Sequence, residues 1–197
     1  MPERTLDIVI CGLEEIAGCF DARMTHAISI LDPETEEPAG MATAGLAALP
    51  GDNVLRLRFH DVIDHAPAVS PPGNGHIAAI LKFGTALKAH GAPRLLIHCH
   101  AGISRSTAAA IIVLAQLGAE AAAAVDRVVA LRPIAWPNLR MIEIGDRMLK
   151  LEQRLVRAVR RHHAQALSRR PELKEIYTLH GRAREVEGLD AFELAKS

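Results

Sequence analysis

Aromatic residues are scarce in this sequence, with one Trp, one Tyr and four Phe among 197 residues. Nothing therefore points to a deep pocket built to stack a phenol ring. Net charge is lacking too: 23 Lys and Arg face 23 Asp and Glu, so no global field draws the chain toward nucleic acid or an anionic membrane. Three cysteines, Cys11, Cys19 and Cys99, are too few and too scattered for a disulfide framework. No apolar run reaches membrane-spanning length. The first residues carry Glu3, Asp7, Glu14 and Glu15 around a short apolar run, unlike a cationic leader, so a cytoplasmic protein is expected. Repeats and low-complexity tracts are absent. What is present is 49% apolar residues, which excludes disorder and suits one ordinary domain with an appendage.

Taken in order, Leu6 to Cys11 and Ala27 to Leu31 read as strands, with a short helix between them over Leu13 to Arg23. Asp32 to Gly40 reads as an exposed loop. Val54 to Phe59 alternates apolar and basic residues, which predicts a strand with one wet face or at an edge. A Pro- and Gly-rich loop runs to Gly75, a helix is expected over His76 to Lys88, and a strand over Leu95 to Ile97. Ala108 to Leu117 is apolar on nearly every face, as in a helix buried in a core. Glu120 to Leu131 makes another helix. The stripe Met141, Ile144, Met148, Leu151, Leu155 predicts one amphipathic helix starting at Asn138, its N-cap. Trp136 is expected as an interior wedge.

The informative stretch is His98-Cys99-His100-Ala101-Gly102-Ile103-Ser104-Arg105-Ser106. It lies between a strand and a helix, so backbone N–H groups converge at one point and the helix dipole adds positive charge. Such a field stabilises a thiolate over a thiol. An arginine closing the loop supplies a planar fork that matches two phosphate oxygens. Nucleophile, cradle and clamp are the parts needed to take a phosphoryl group onto sulfur. Expulsion of the alcohol is easier with a positioned acid. His60-Asp61-Val62-Ile63-Asp64 follows the third strand and offers Asp61, with Asp64 as the alternative. A metal site on His98, Cys99 and His100 is not expected, because adjacent residues on a strand end point in different directions.

Cys99 to Arg105, with His98 and Ser106 flanking them, resembles the Cys-x5-Arg signature of the cysteine-dependent protein tyrosine phosphatase superfamily. The dual-specificity-like branch is most similar, and within it a group of bacterial phosphatases. Phe59-His60-Asp61 stands where the tyrosine-specific branch has Trp-Pro-Asp, and Arg132-Pro133 with Pro137-Asn138 is a further likeness. The resemblance implies an α/β fold, a central, mainly parallel sheet of four to five strands flanked by helices. It covers a phosphatase domain over residues 1–157, leaving a basic and mixed-charge helical extension over 158–197. It further implies Cys99 as nucleophile, Arg105 as clamp, Asp61 as general acid and Ser106 as hydrogen-bond partner of the sulfur. His100, Ala101, Gly102, Ile103, Ser104 and Arg105 bind the phosphate, and His98 orients the cysteine backbone. The expected activity is hydrolysis of phosphate monoesters, phosphotyrosine or phosphoserine/threonine in proteins, through phosphocysteine and with no cofactor. A nucleotide, a small phosphorylated metabolite or a non-catalytic phosphate-binding module are the alternatives. Gln153 to Arg170 holds six arginines, two histidines and no acid, and reads as a solvated helix face, with an acidic partner or RNA as the alternative. The extension from 160 onward is expected to be dispensable for turnover.

Overall fold

The computed structural model describes residues 6–36, 41–89 and 93–189. The chain opens with strand β1 (Asp7–Gly12), the one-turn helix α1 (Ile16–Cys19) and β2 (His26–Leu31), followed by helix α2 (Met41–Ala48). Then come β3 (Val54–Arg58), α3 (Asn74–Ala89) and β4 (Arg94–Cys99). Five helices complete it: α4 (Arg105–Gln116), α5 (Ala121–Leu131), α6 (Leu139–Met148), α7 (Arg154–Arg169) and α8 (Leu173–Leu179). The strands form a four-stranded parallel sheet in the order β1-β4-β2-β3. β4 lies inside, and all but its first residue are buried, as its Leu-Leu-Ile run demands. β3 is an edge strand, in keeping with its alternating basic residues.

The two faces of the sheet are covered unequally. Ile8, Ile10, Ile28, Ile30, Leu57, Leu95 and Ile97 pack with α3 to α7 in the larger core, whose centre is the fully buried Ala108 to Val113 of α4. On the other face a smaller cluster joins Cys11, Ala27, Val54 and Leu96 to Ile16 and Leu46 of α1 and α2. Helix α2 had no counterpart in the pattern read from sequence. A parallel sheet brings the carboxyl ends of all its strands to one edge, where ligands bind in open α/β folds. Gly12, Leu31, Arg58 and Cys99 end the four strands here.

One expectation needs correction: the stripe Met141 to Leu155 makes two helices, not one. Asp146, buried at the end of α6, takes the N–H groups of Gln153 (2.8 Å), Leu155 (2.7 Å) and Val156 (3.3 Å), and so caps α7. Lys150, Glu152 and Gln153 take positive φ to make the turn, a cost of about 1–2 kcal/mol each that the buried cap offsets. The C-terminal extension is partly buried. The division at 157/158 falls inside α7, and Val159, His163, Arg182, Glu185, Val186 and Leu189 beyond it are all buried. Residues 190–197 of the extension lie outside the described residues, as do 37–40 of the loop after β2.

Candidate active site

β4 ends at Cys99, the chain turns through residues 100–104, and α4 starts at Arg105. The turn is held from outside, carbonyl by carbonyl. His100 O accepts from Leu13 N (2.8 Å), Ala101 O from Arg132 Nη2 (3.0 Å) and Gly102 O from Arg132 Nε (3.1 Å). Ile103 O accepts from Trp136 N (2.9 Å) and Ser104 O from Asn138 N (3.3 Å). In a planar trans peptide the next N–H points opposite to the carbonyl. The N–H groups of residues 101 to 105 therefore turn away from these outer partners, to the concave side of the loop. Arg132 is fixed in turn by Glu15 (2.9 Å), whose carboxylate also takes Gly12 N (2.6 Å) and is held below the usual carboxylate range by that N–H and by Arg132. Gly102 has φ +68°, and a Cβ there would come within 2.5 Å of the Cys11 backbone, so only glycine lets the loop lie this close to β1.

Cys99 Sγ is 3.2 Å from Ser106 Oγ on the first turn of α4, and both residues are buried. Burial, then Cys19 and Glu15, push the Cys11 thiol up, which disfavours its ionisation. Arg105 is buried, and its Nη1 donates to Asp32 Oδ1 (2.6 Å) and to Phe59 O (2.7 Å). Its Nε is buried with no hydrogen-bond partner among the described residues, a donor suited to an oxyanion. Asp32 thus has a place in the site rather than in the exposed loop expected from sequence. It also lies 3.4 Å from His100 Nε2, which contacts Thr35 Oγ1 as well.

The two candidate acids part company. Asp61 Oδ1 accepts from Ser104 Oγ (2.7 Å) and Asn138 Nδ2 (2.8 Å), which ties it to the loop. Asp64 is 58% exposed and pairs with Arg184 (3.2 Å), away from the loop. The segment carrying Asp61 is tied at its neck by His60 N to Ser70 O and by Ser70 N to His60 Nδ1, and Arg140 bonds Ile63 O and Pro72 O from α6. Asn138 also caps α6 through Met141 N. His98 is buried on β4 beside Cys11 and Ser29. Trp136 is buried, stacked between His163 (4.0 Å) and Tyr177 (4.1 Å).

Sequence reasoning missed Asp32, Glu15, Arg182 and Glu185 around this loop. Asp32 had a signal, since it stands directly after a strand, as a catalytic acid would. Among the described residues no three His, Cys, Asp or Glu side chains are grouped to hold a metal ion, and no helix is long and apolar enough to cross a membrane.

No protein-family model matches the sequence, and no curated protein matches it. Solved structures do. Human DUSP28 superposes with a TM-score of 0.51 at 18% identity, over 76% of this chain and 96% of that one. Tk-PTP in its active form gives 0.50 at 19%, over 75% and 94%. The human tyrosine phosphatase-like serine/threonine/tyrosine-interacting protein gives 0.52 at 18%, over 76% and 95%. The chain has the α/β fold of the dual-specificity branch of cysteine-dependent phosphatases. Identities this low carry the fold alone, and one neighbour's own name is that of a phosphatase-like interacting protein. Activity has to be argued from the site.

Proposed function

We propose that this protein is a cysteine-dependent phosphatase acting on phosphate monoesters, with phosphotyrosine or phosphoserine/threonine of proteins as substrate and a reducing cytoplasm as its setting. The observation that carries this reading is the orientation of the 100–104 turn, each carbonyl of which accepts from a group outside the turn, beside a buried cysteine. Cys99 Sγ attacks phosphorus as thiolate and the P–O ester bond breaks. The N–H groups of residues 101–105 and the guanidinium of Arg105 hold the phosphoryl oxygens, as His100, Ala101, Gly102, Ile103 and Ser104 shape the loop. Asp61 protonates the leaving oxygen, then as carboxylate takes a proton from the water that attacks the S–P bond. Ser106, 3.2 Å from the sulfur, donates a hydrogen bond to it as it departs.

The second reading is a non-catalytic phosphate-binding module, favoured by the neighbour named as an interacting protein. Turnover separates the two. The purified chain is expected to hydrolyse an aryl phosphate in the presence of a chelator, and Cys99→Ser to lose this activity while keeping its fold. Binding of the ester without turnover supports the module. Activity that persists in Cys99→Ser, or that the chelator removes, overturns the cysteine mechanism. A panel of phosphopeptides, nucleotides and small phosphorylated metabolites then ranks the substrate classes.

A further inference from the structure

Arg182 belongs to none of the loop motifs and follows α8, 77 positions after Arg105 in the chain, yet its side chain ends at the site. Its Nη2 donates to Ser104 Oγ (3.0 Å), and its Nη1 is 3.5 Å from Asp61 Oδ2. Behind it, Glu185 grips the guanidinium through Nε (2.7 Å) and Nη2 (2.8 Å). Tyr177 covers it at 5.3 Å from the ring centroid. Glu185 is itself anchored to Trp136 Nε1 and Leu139 N, each at 2.8 Å. Arg182 is 6% exposed, and its guanidinium is taken up by Ser104, Asp61 and Glu185.

The donor and acceptor inventory fixes what this arrangement does. A guanidinium only donates. Ser104 Oγ must then accept from Arg182, and its own proton is directed to Asp61 Oδ1 at 2.7 Å. Asn138 adds a second donor to the same oxygen, because its Oδ1 is already spent on Met141 N. Oδ1 is thereby saturated, and a proton on the carboxyl sits on Oδ2. Once that proton is given up, the charge left on Oδ2 faces Arg182 Nη1. Burial pulls Arg182 toward neutrality, but Glu185 and Asp61 outweigh it and raise its pKa, so it remains a cation.

We propose that Arg182 is a positioning residue for Asp61: through Ser104 it fixes Oδ2 as the proton-carrying oxygen, and it stabilises the carboxylate formed when the proton leaves. This rests on the phosphatase reading, and it makes the segment after α8 part of the acid's setting.

The test uses the full chain with Arg182→Lys, which keeps a cation beside Glu185 but cannot fork to Ser104 and Asp61 together. Turnover of alkyl or peptide phosphates is expected to fall roughly ten- to a hundredfold, while an ester with an acidic nitrophenol leaving group is nearly unaffected. Arg182→Met combined with Glu185→Gln, which removes the cation without leaving its buried counter-charge unpaired, is expected to show the same leaving-group dependence should Arg182→Lys fold poorly. An equal loss on both esters, or no loss in either variant, overturns the proposal. If the unmodified chain shows no Cys99-dependent turnover, the phosphatase reading fails first. Asp61 is then read directly as its carboxyl 13C resonance in the Cys99→Ser chain. A line that broadens or splits when Lys replaces Arg182 upholds the positioning, and an unchanged line refutes it.

Discussion

Glu185→Gln isolates the anchor of the C-terminal segment. Glu185 is fully buried and its two oxygens take four donors: Arg182 Nε and Trp136 Nε1 on one, Arg182 Nη2 and Leu139 N on the other. Burial pushes its carboxyl up, against the pull of Arg182 and of the Leu139 and Trp136 N–H groups. Since all four contacts are donors, the ionised form is the one they satisfy. Glutamine has the same shape but one acceptor oxygen, so its amide must face two N–H donors and Arg182 loses its closest counter-charge. Breaking a buried pair from one side costs about 3–5 kcal/mol. Against a total stability of roughly 5–15 kcal/mol that is a large share. For a chain of this size it lowers Tm by on the order of 6–20 °C.

The assay is equilibrium urea unfolding followed by the emission of Trp136, the single tryptophan, whose stack with His163 and Tyr177 reports on the docked segment. Arg182→Met combined with Glu185→Gln is expected to be more stable than the two single losses added together, by about 1–3 kcal/mol of coupling. A loss in Glu185→Gln below about 1 kcal/mol, the worth of a surface pair, refutes the claim that this segment is built into the site.

Asp61→Asn is expected to slow alkyl and peptide phosphates by roughly a hundredfold or more while sparing acidic leaving groups. Asp64→Asn, at an exposed carboxylate paired with Arg184, is expected to leave both rates unchanged, and the reverse pattern would move the acid to Asp64. Stability should also fall with acid. Burial, then His162, Arg182 and Arg160, hold His163 well below the usual imidazole range, and burial lowers His162 and His76 too. Unfolded histidines take protons near pH 6.5 that the folded ones refuse, so this stability is complete above that pH. It declines below it by up to about 1.4 kcal/mol per pH unit for one site. His163→Phe, which keeps an aromatic ring against Trp136, should flatten the decline between pH 6.5 and 5, as read by thermal unfolding. An unchanged slope would assign the acid sensitivity elsewhere.

What was legible in the sequence is what local chemistry decides. The strand, loop and helix from Arg94 to Gln116 could be read because apolar run, glycine turn and alanine-rich helix follow one another directly. The alternation of Arg56 and Arg58 with leucines pointed to one wet face or an edge, and β3 stands at the edge. The break between α6 and α7 was not, because Met148, Leu151 and Leu155 continue the helical spacing and no Gly or Pro interrupts it. Its cause is a buried Asp146 reaching N–H groups seven to ten residues on. The run of six arginines from Gln153 to Arg170 read, from composition alone, as a solvated face. Arg160 instead bonds the carbonyls of Arg184 and Glu187, helping to fold the segment back. Polar contacts spanning 78 residues, as between Ser104 and Arg182, leave no period to read.

Asp32 shows how far the same logic reaches once the strand order is known. Parallel strands deliver their carboxyl ends to one edge, so polar residues at or just past the end of each strand are candidates for one shared site. At the end of β4 stands Cys99 with its loop, and three residues past β3 stands Asp61. After β1, Leu13 N and Glu15 hold the loop. After β2 stands Asp32, whose carboxylate fixes Nη1 of Arg105 with help from Phe59 O. Among the described residues Nη1 is the terminal nitrogen spent this way, and the buried Nε has no partner. The arginine is therefore aimed in advance by the ends of β2 and β3 together, as the proposed phosphate clamp would require. An orientation fixed in advance costs nothing at the moment of binding, which is the reason to hold a clamp by its far end rather than leave it free.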